Sequence, residues 1–415
     1  MHRALLACAL VCAAACKPKA SSPPAPAAPV IPARIVVGAS LPIGSAEGLT
    51  ARFYREGYEV AFEEANHSGG VLLGKKRVPI SLELIDDGDN PSKAEEQLRD
   101  LLEKKALFFL GSSSTRVVQA QSAIAERERV PYVTAAGADK ALFERGYRYF
   151  FGLQAPIELL AYTQMRWIDE QQKALRLPTP LSLALLVQDS PRGREFRKGV
   201  VDFAGKTPSR RASYRIIFDE SFPVGAQDFV APLGRVKAAH ADVFLADGSL
   251  SEFLSLHRRY LWSGLCHKVV SYGAHGGEPQ AQEEFGFDGL GYILSAVWWS
   301  PRLAMHGPNQ RFVEDFKVNY HRDPDWYGAL AYEAARALMA AISASGTVDP
   351  EAVRAQLAAM RMESILPGGR LMFGADQQAI YPFVVQQNLP DGKAPVIFPN
   401  DVAESPGVPA NPKCR

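Results

Sequence analysis

The chain lacks a surplus of charge of either sign: 46 lysines and arginines stand against 45 aspartates and glutamates, for a net charge of +1. No block of Lys or Arg interrupts that balance, so no nucleic-acid partner is expected. Metal chemistry is equally bare, since the 8 histidines show neither an HExxH pattern nor paired ligand spacing. No Gly-x-Ser-x-Gly elbow occurs, which leaves no local sign of a serine nucleophile. Cysteine is sparse, and after Cys16 only Cys266 and Cys414 remain. Beyond the N-terminus no apolar run is long enough to cross a bilayer. These absences argue against an enzyme, a metal site or a cofactor.

What is present begins with length. A chain of 415 residues exceeds what one small core holds, so two domains are expected. Hydrophobic content of 47% and charged content of 22% are those of a globular protein. At the N-terminus His2 and Arg3 lead into an apolar run from Ala4 to Ala15. That run is too short to span a membrane and has the length of a signal-peptide core. Ala13, Ala14 and Ala15 before Cys16 resemble a bacterial lipobox, with Ala13 in place of the usual leucine. "LLAC", ending at Cys8, fits the motif locally but would leave almost no hydrophobic segment. The resemblance implies lipidation of Cys16 and a periplasmic-side envelope protein whose only membrane contact is that anchor. Residues 1–15 are then the signal peptide, and the proline-rich stretch 16–33 is a tether. An exported protein could pair Cys266 with Cys414, and one sequence leaves that open.

From Arg34 onward strand and helix patterns alternate. "RIVVGASL" reads as a buried strand, and the helix after it closes at Ser68, Gly69 and Gly70. "PISLELIDD", "ALFFLG" and "PYVTAA" supply further strands, separated by helical patterns over 92–105 and 115–128. A second series runs through "LSLALLVQD", "SYRIIFDESF", "ADVFLADG", "KVVSYGA" and "GYILSAVWW". Strand–helix alternation predicts parallel sheets covered by helices, so the fold class is α/β with two Rossmann-like lobes. Long helices across 307–360 follow, and "RLMFG" and "YPFVVQQN" return the chain to both lobes.

Two stretches imitate familiar sites. "GGVLLGKK", residues 69–76, nearly matches a phosphate loop, but Lys76 stands where Ser or Thr should hold magnesium. It also follows a helix and precedes a strand, the reverse of what the loop needs. "DDGDN" at 86–90 gathers carboxylates without the glycine and distal glutamate of a calcium loop, and reads as a strand-to-helix turn.

"GSSSTRVV", residues 111–118, is a stronger candidate. It sits after a strand and before a helix, at the carboxyl edge of a parallel sheet where open α/β folds bind ligands. A helix N-terminus there offers free N–H groups, and hydroxyls add hydrogen bonds without charge. The alternative is a capping cluster with no ligand.

The segments "IVVGASLPIGSAEG", "LIDDGDNPSKAEEQ", "GSSST", "PYVTAAGADKALFERGYRYFF", "AQDFVAPLGRVKAAHADVFLADG" and "ALAYEAARALMAAI" carry a resemblance, in order and spacing, from Arg34 to about Pro399. The chain resembles the type I periplasmic-binding proteins, specifically the Leu/Ile/Val-binding proteins of ABC transporters. That resemblance implies two lobes joined by three crossovers, with ligand held in the cleft and hinge closure around it. It implies lobe 1 over 34–153 and 299–378, lobe 2 over 154–298 and 379–400, and a C-terminal tail over 401–415. Ser114 and Thr115, with the backbone near Ser112 and Ser113, would hold a carboxylate, and Ala136, Gly137 and Ala138 would form the next wall.

Departures from the family pattern are concentrated in lobe 2. Members that bind α-amino acids usually carry threonine where Ala138 falls. An aromatic residue of a lobe-2 turn becomes Arg192, and a tyrosine position falls at Gly248 or Ser249. The acidic residue that meets the ammonium aligns with Ala274 or His275. A buried ammonium without its acidic partner is costly, which argues against an ordinary α-amino acid. Arg192 and Arg116 favour an anionic ligand instead, the alternative for Arg192 being a solvated turn. Trp298 and Trp299 read as hinge packing or as ligand stacking. The expected function is an extracytoplasmic solute-binding lipoprotein delivering a small polar ligand, amino acid-like, amide or carboxylate, to an ABC permease. The rival is a ligand-independent scaffold that regulates an envelope partner such as a penicillin-binding protein.

Overall fold

The computed structural model describes residues 31–45, 48–174, 176–303 and 307–414. The expected signal segment, Cys16 and most of the tether lie outside the described residues.

The first lobe opens with β1 (Ile35–Leu41), whose apolar run is enclosed on both faces, as a central parallel strand under two helix layers must be. α1 (Gly48–His67) follows and buries Phe53, Tyr54, Tyr58 and Ala61. A hairpin of β2 (Val71–Leu73) and β3 (Lys76–Val78) comes next, turning at Gly74 with φ +59°. The "GGVLLGKK" stretch is therefore a helix end and a hairpin, with no backbone cradle between a strand and a helix. β4 (Ile80–Asp86), α2 (Ala94–Glu103), β5 (Phe108–Leu110), α3 (Thr115–Glu128), β6 (Tyr132–Thr134), α4 (Lys140–Phe143) and β7 (Phe150–Gly152) complete a parallel sheet ordered β4-β1-β5-β6-β7.

The second lobe repeats that progression. Its elements are α5 (Ile157–Lys173), β8 (Leu181–Gln188), α6 (Pro191–Gly205), α7 (Pro208–Ser213), β9 (Tyr214–Phe222), α8 (Val230–Ala239), β10 (Val243–Asp247), α9 (Leu250–Trp262), β11 (Val269–Ser271), α10 (Pro279–Gly289) and β12 (Ile293–Val297). The chain then returns to the first lobe through α11 (Gly307–Tyr320), α12 (Trp326–Ser345), α13 (Pro350–Ala358) and the short pair β13 (Met362–Glu363) and β14 (Arg370–Leu371). It ends with β15 (Val384–Gln387) and β16 (Val396–Phe398), which add antiparallel to β12 and give the order β16-β15-β12-β11-β10-β8-β9.

Helix α12 packs on α1 without intervening side chains. A Cβ placed on Gly57 would lie 2.1 Å from the Gly328 carbonyl oxygen, so only glycine allows this approach.

The chain passes between the sheets three times, and the passages are tied to one another near residues 153–155. Trp298 Nε1 donates to the Ala155 carbonyl at 2.9 Å, and the Tyr381 hydroxyl donates to the Leu153 carbonyl at 2.7 Å. Gln378 Nε2 reaches the Gln154 carbonyl at 2.9 Å. Trp298 and Trp299 are both fully buried here, Trp298 against Trp326 and Phe383.

Beyond β16 the tail lies along the second lobe. Val408 N–H donates to Gln387, Asn411 N–H donates to the Lys268 carbonyl, and a Cys266–Cys414 disulfide fixes the end.

Candidate ligand site between the lobes

In each sheet the strand order reverses direction beside the first strand, and loops that leave such a switch point flank a crevice. In lobe 1 the loop after β5 carries Ser112 to Ser114. In lobe 2 the loops after β8 and β10 carry Arg192 and the Asp247–Ser249 stretch.

Ser112 lies fully inside lobe 1. Its hydroxyl donates to Asp87 Oδ2 at 2.7 Å and accepts from the Ser114 N–H at 3.3 Å. Ser40 also donates to Asp87, and Gln121 joins Ser40 to Tyr132. Burial pushes the Asp87 carboxyl above its ordinary range, against the lowering effect of the two serine hydroxyls. Within "DDGDN", Asp87 thus anchors the loop after β5 from below, and Asp89 pairs with Arg116. Arg116 is exposed and engaged there.

Ser113, Ser114 and Thr115 are half-buried at the start of α3. Ser114 has the extended backbone of an N-cap, φ −99° and ψ 124°, yet its hydroxyl makes no capping bond. Its side chain is left over from the local structure, beside N–H groups of the first helical turn that lack intrahelical acceptors. By contrast Ala136 and Ala138 are buried, and their backbones are largely spent. Thr134 Oγ1 donates to the Ala136 carbonyl and accepts its N–H, and the Ala138 carbonyl accepts from Gln378. Gly137 turns between them at φ +84° with Leu142 and Val118 against it.

In lobe 2 the expected contacts separate into two kinds. Gly248, Ser249 and His275 form an internal lock. Ser249 caps α9 in a reciprocal box with Glu252, and His275 Nε2 sits 3.0 Å from the Gly248 carbonyl. Its other ring nitrogen is 2.6 Å from Glu278 Oε1, with Phe253 stacked on the ring. With both nitrogens engaged and the residue 2% exposed, His275 has nothing left to offer a ligand.

Arg192 is not a solvated turn residue, and it is not a free cation. Its Nε and Nη2 meet Asp247 Oδ2 and Oδ1 at 2.8 and 2.9 Å, and the Asp247 side chain is wholly buried. Burial raises the Asp247 carboxyl above its ordinary range while Arg192 opposes that rise. Burial lowers the guanidinium, but Asp247, with smaller help from Tyr327 and Asp139, outweighs it, so it stays charged. The two-pronged contact uses one edge of the fork and leaves the other N–H groups directed elsewhere. Its charge is felt by Tyr54 and Tyr327 of lobe 1 and by Asp139, and the guanidinium lies 5.9 Å from the Trp298 ring centre.

The sequence reading missed Asp247, Asp139, Tyr54, Trp326 and Tyr327. Asp247 and Asp139 stand inside the quoted "FLADG" and "TAAGAD", and the aromatic pair Trp326–Tyr327 directly follows an aspartate that caps α12. Trp326 Nε1 is buried with no partner among the described residues. Beside Trp326 and Glu278 a cavity of about 720 Å³ runs between the lobes, bounded also by Ala274, Arg322 and Asp325. Neither this cavity nor a recess of about 770 Å³ on the α5–α6 side is lined by Ser114, Thr115 or Arg192.

Comparison with known proteins agrees with the two-lobed α/β fold. A family model described as periplasmic binding protein matches residues 34–393. Leu/Ile/Val-binding protein homolog 8 of Brucella abortus is 21% identical over 373 residues, covering 87% of this chain and 90% of that protein. The leucine-specific-binding protein of Salmonella typhimurium is 22% identical over 296 residues, covering 71% and 74%. Among solved structures, a leucine-binding protein from Thermotoga maritima superposes with a TM-score of 0.74 at 20% identity, over 88% of this chain and 99% of that one. An ABC-transporter solute-binding protein from R. palustris, in complex with benzoate, gives 0.73 at 20% identity over 88% and 95%. A branched-chain amino-acid transporter substrate-binding protein from Streptococcus pneumoniae, in complex with isoleucine, gives 0.75 at 18% identity over 88% and 100%.

Proposed function

We propose a function from one premise: this chain belongs to the periplasmic binding protein family, whose members bind solutes and are not enzymes. It captures a small ligand bearing a carboxylate between its lobes and presents it to an ABC permease. The observation that carries this reading is the Arg192 guanidinium, clamped by Asp247 and 5.9 Å from the Trp298 ring centre, with its charge felt at Tyr54 and Tyr327 of the opposite lobe. A cation held rigid at a cleft is prepared for an anion, because the cost of ordering it has already been met by its partner. Ser113, Ser114 and Thr115 supply uncharged donors from the other wall. Relatives captured with benzoate and with isoleucine place aromatic acids and amino acids first among the carboxylates to test. Lipidation at Cys16 would hold the protein at the envelope surface.

The experiment is a thermal-melt screen with amino acids, amides, aliphatic carboxylates and benzoates. A ligand at a hundred times its Kd should stabilise the folded protein by about 2.7 kcal/mol. A raised melting temperature that disappears in Arg192→Met supports the reading. No shift with any class would sink it and favour the scaffold alternative, for which the internal locking of Gly248, Ser249 and His275 speaks.

A further inference from the structure

Helix α6 carries a second group across the cleft, one turn beyond Arg192. Glu195 Oε1 accepts the backbone N–H of Lys140, at the start of α4 in lobe 1, at 2.7 Å. Its other oxygen, Oε2, is buried with no partner among the described residues. The bond joins the two lobes directly, away from the three crossovers, so it exists only while the lobes are together.

We infer that Glu195 is a proton-operated latch, whose protonation holds the lobes closed. The inference rests on the reading that the lobes open and close, and it needs no ligand. In the closed arrangement the carboxyl faces Asp139 and the Lys140 N–H and ammonium from α4, and Glu158 from α5. Lys198 pairs with Glu158, and Lys140 with Glu144, so neither cation is dedicated to Glu195. Burial first, and then the charges of Asp139 and Glu158, push the Glu195 carboxyl up to about 7, against the lowering pull of the Lys140 N–H. Opening would return the group to water and its ordinary value. The closed form therefore binds the proton more tightly, and acidification favours closure. The chemistry is compatible with the bond seen: a proton on Oε2 leaves Oε1 free to keep accepting the Lys140 N–H. Above pH 7 the latch must be closed with an ionised carboxylate beside two others, and closure weakens.

The test is hydrogen exchange at the Lys140 amide in the ligand-free full chain, corrected for the intrinsic pH dependence of exchange. Between pH 8 and pH 6 protection should rise about tenfold in the native protein. It should stay flat in Glu195→Gln, which keeps the acceptor but cannot ionise. Asp139→Asn should move the midpoint to lower pH by removing a neighbouring negative charge. A flat profile in the native protein, or an equal rise in Glu195→Gln, would overturn the latch. Because no ligand is present, either result leaves the ligand screen above to stand or fall separately.

Discussion

Asp247 receives both prongs of the Arg192 guanidinium, from Nε at 2.8 Å and from Nη2 at 2.9 Å, on a carboxylate with no exposed surface. Breaking such a pair from one side strands the other charge in the interior. Asp247→Ala is expected to cost about 3–5 kcal/mol in urea unfolding. The same variant should also lose the ligand stabilisation found in the screen, because Arg192 is no longer held in place. In an Arg192→Met, Asp247→Leu double variant much of the stability should return while binding does not. Recovery of binding in that double variant would remove Arg192 from the site.

Ser114 and Ser249 look alike in sequence, since each is a hydroxyl directly ahead of a helix. The structure gives them opposite work. Ser249 caps α9 with its side chain, and Ser114 leaves α3 uncapped. Ser249→Ala should therefore cost about 1 kcal/mol in chemical denaturation with little effect on ligand affinity. Ser114→Ala and Thr115→Ala should change stability by less than about 0.5 kcal/mol and weaken binding. Equal stability losses at both positions would show that Ser114 serves the fold.

The contrast explains how far the sequence could be read. Alternating apolar strands and amphipathic helices were legible because burial imposes period and length on them, and α3 occupies the residues its pattern predicts. Short elements were not. β7, α4, α7, β16 and the β2–β3 hairpin owe their form to tertiary neighbours, and their sequences carry little periodicity. At the site, residue type identified the loops but not the direction of each side chain. Unlike Ser114, Ser112 and His275 have partners 25 and 27 residues away in sequence, Asp87 and the Gly248 carbonyl, which no local pattern reveals. The Arg192–Asp247 contact spans 55 residues, and its aspartate was hidden at the end of a strand.

The Cys266–Cys414 bridge closes a span of 148 residues. Cross-linking so long a loop constrains the unfolded chain, and removing it is expected to cost about 2–4 kcal/mol. Cys414→Ser should therefore lower the melting temperature, and dithiothreitol should bring the native protein to the same value without affecting the variant. The tail beyond β16 should become the first segment cut by protease, since its remaining ties are a few hydrogen bonds and the Lys413–Asp288 and Arg302–Glu404 pairs. A tail equally resistant in both forms would mean that these contacts suffice.

Two histidines inside lobe 2 give the fold a second response to acid, of the opposite sign to the latch. His257 Nε2 lies 3.0 Å from the Gly289 carbonyl and must carry the hydrogen, so Nδ1 accepts from the Tyr272 hydroxyl at 2.9 Å. His267 Nδ1 lies 2.7 Å from the Tyr260 hydroxyl, which also accepts the His267 N–H. Burial among these rings depresses both imidazoles to about 4. The unfolded chain then binds the extra protons first. Stability from this source is complete above the ordinary histidine value of about 6.5, and is lost as pH falls from there toward 4. Urea midpoints should hold steady from pH 8 to 7 and drop below 6.5, with a shallower drop in His257→Gln. If that variant follows the native curve, the acid sensitivity lies elsewhere. Between pH 7 and 6.5 the lobes should already be tightening through Glu195 while the fold beneath them is still at full strength, and below 6.5 closure should go on rising while the stability of the fold falls.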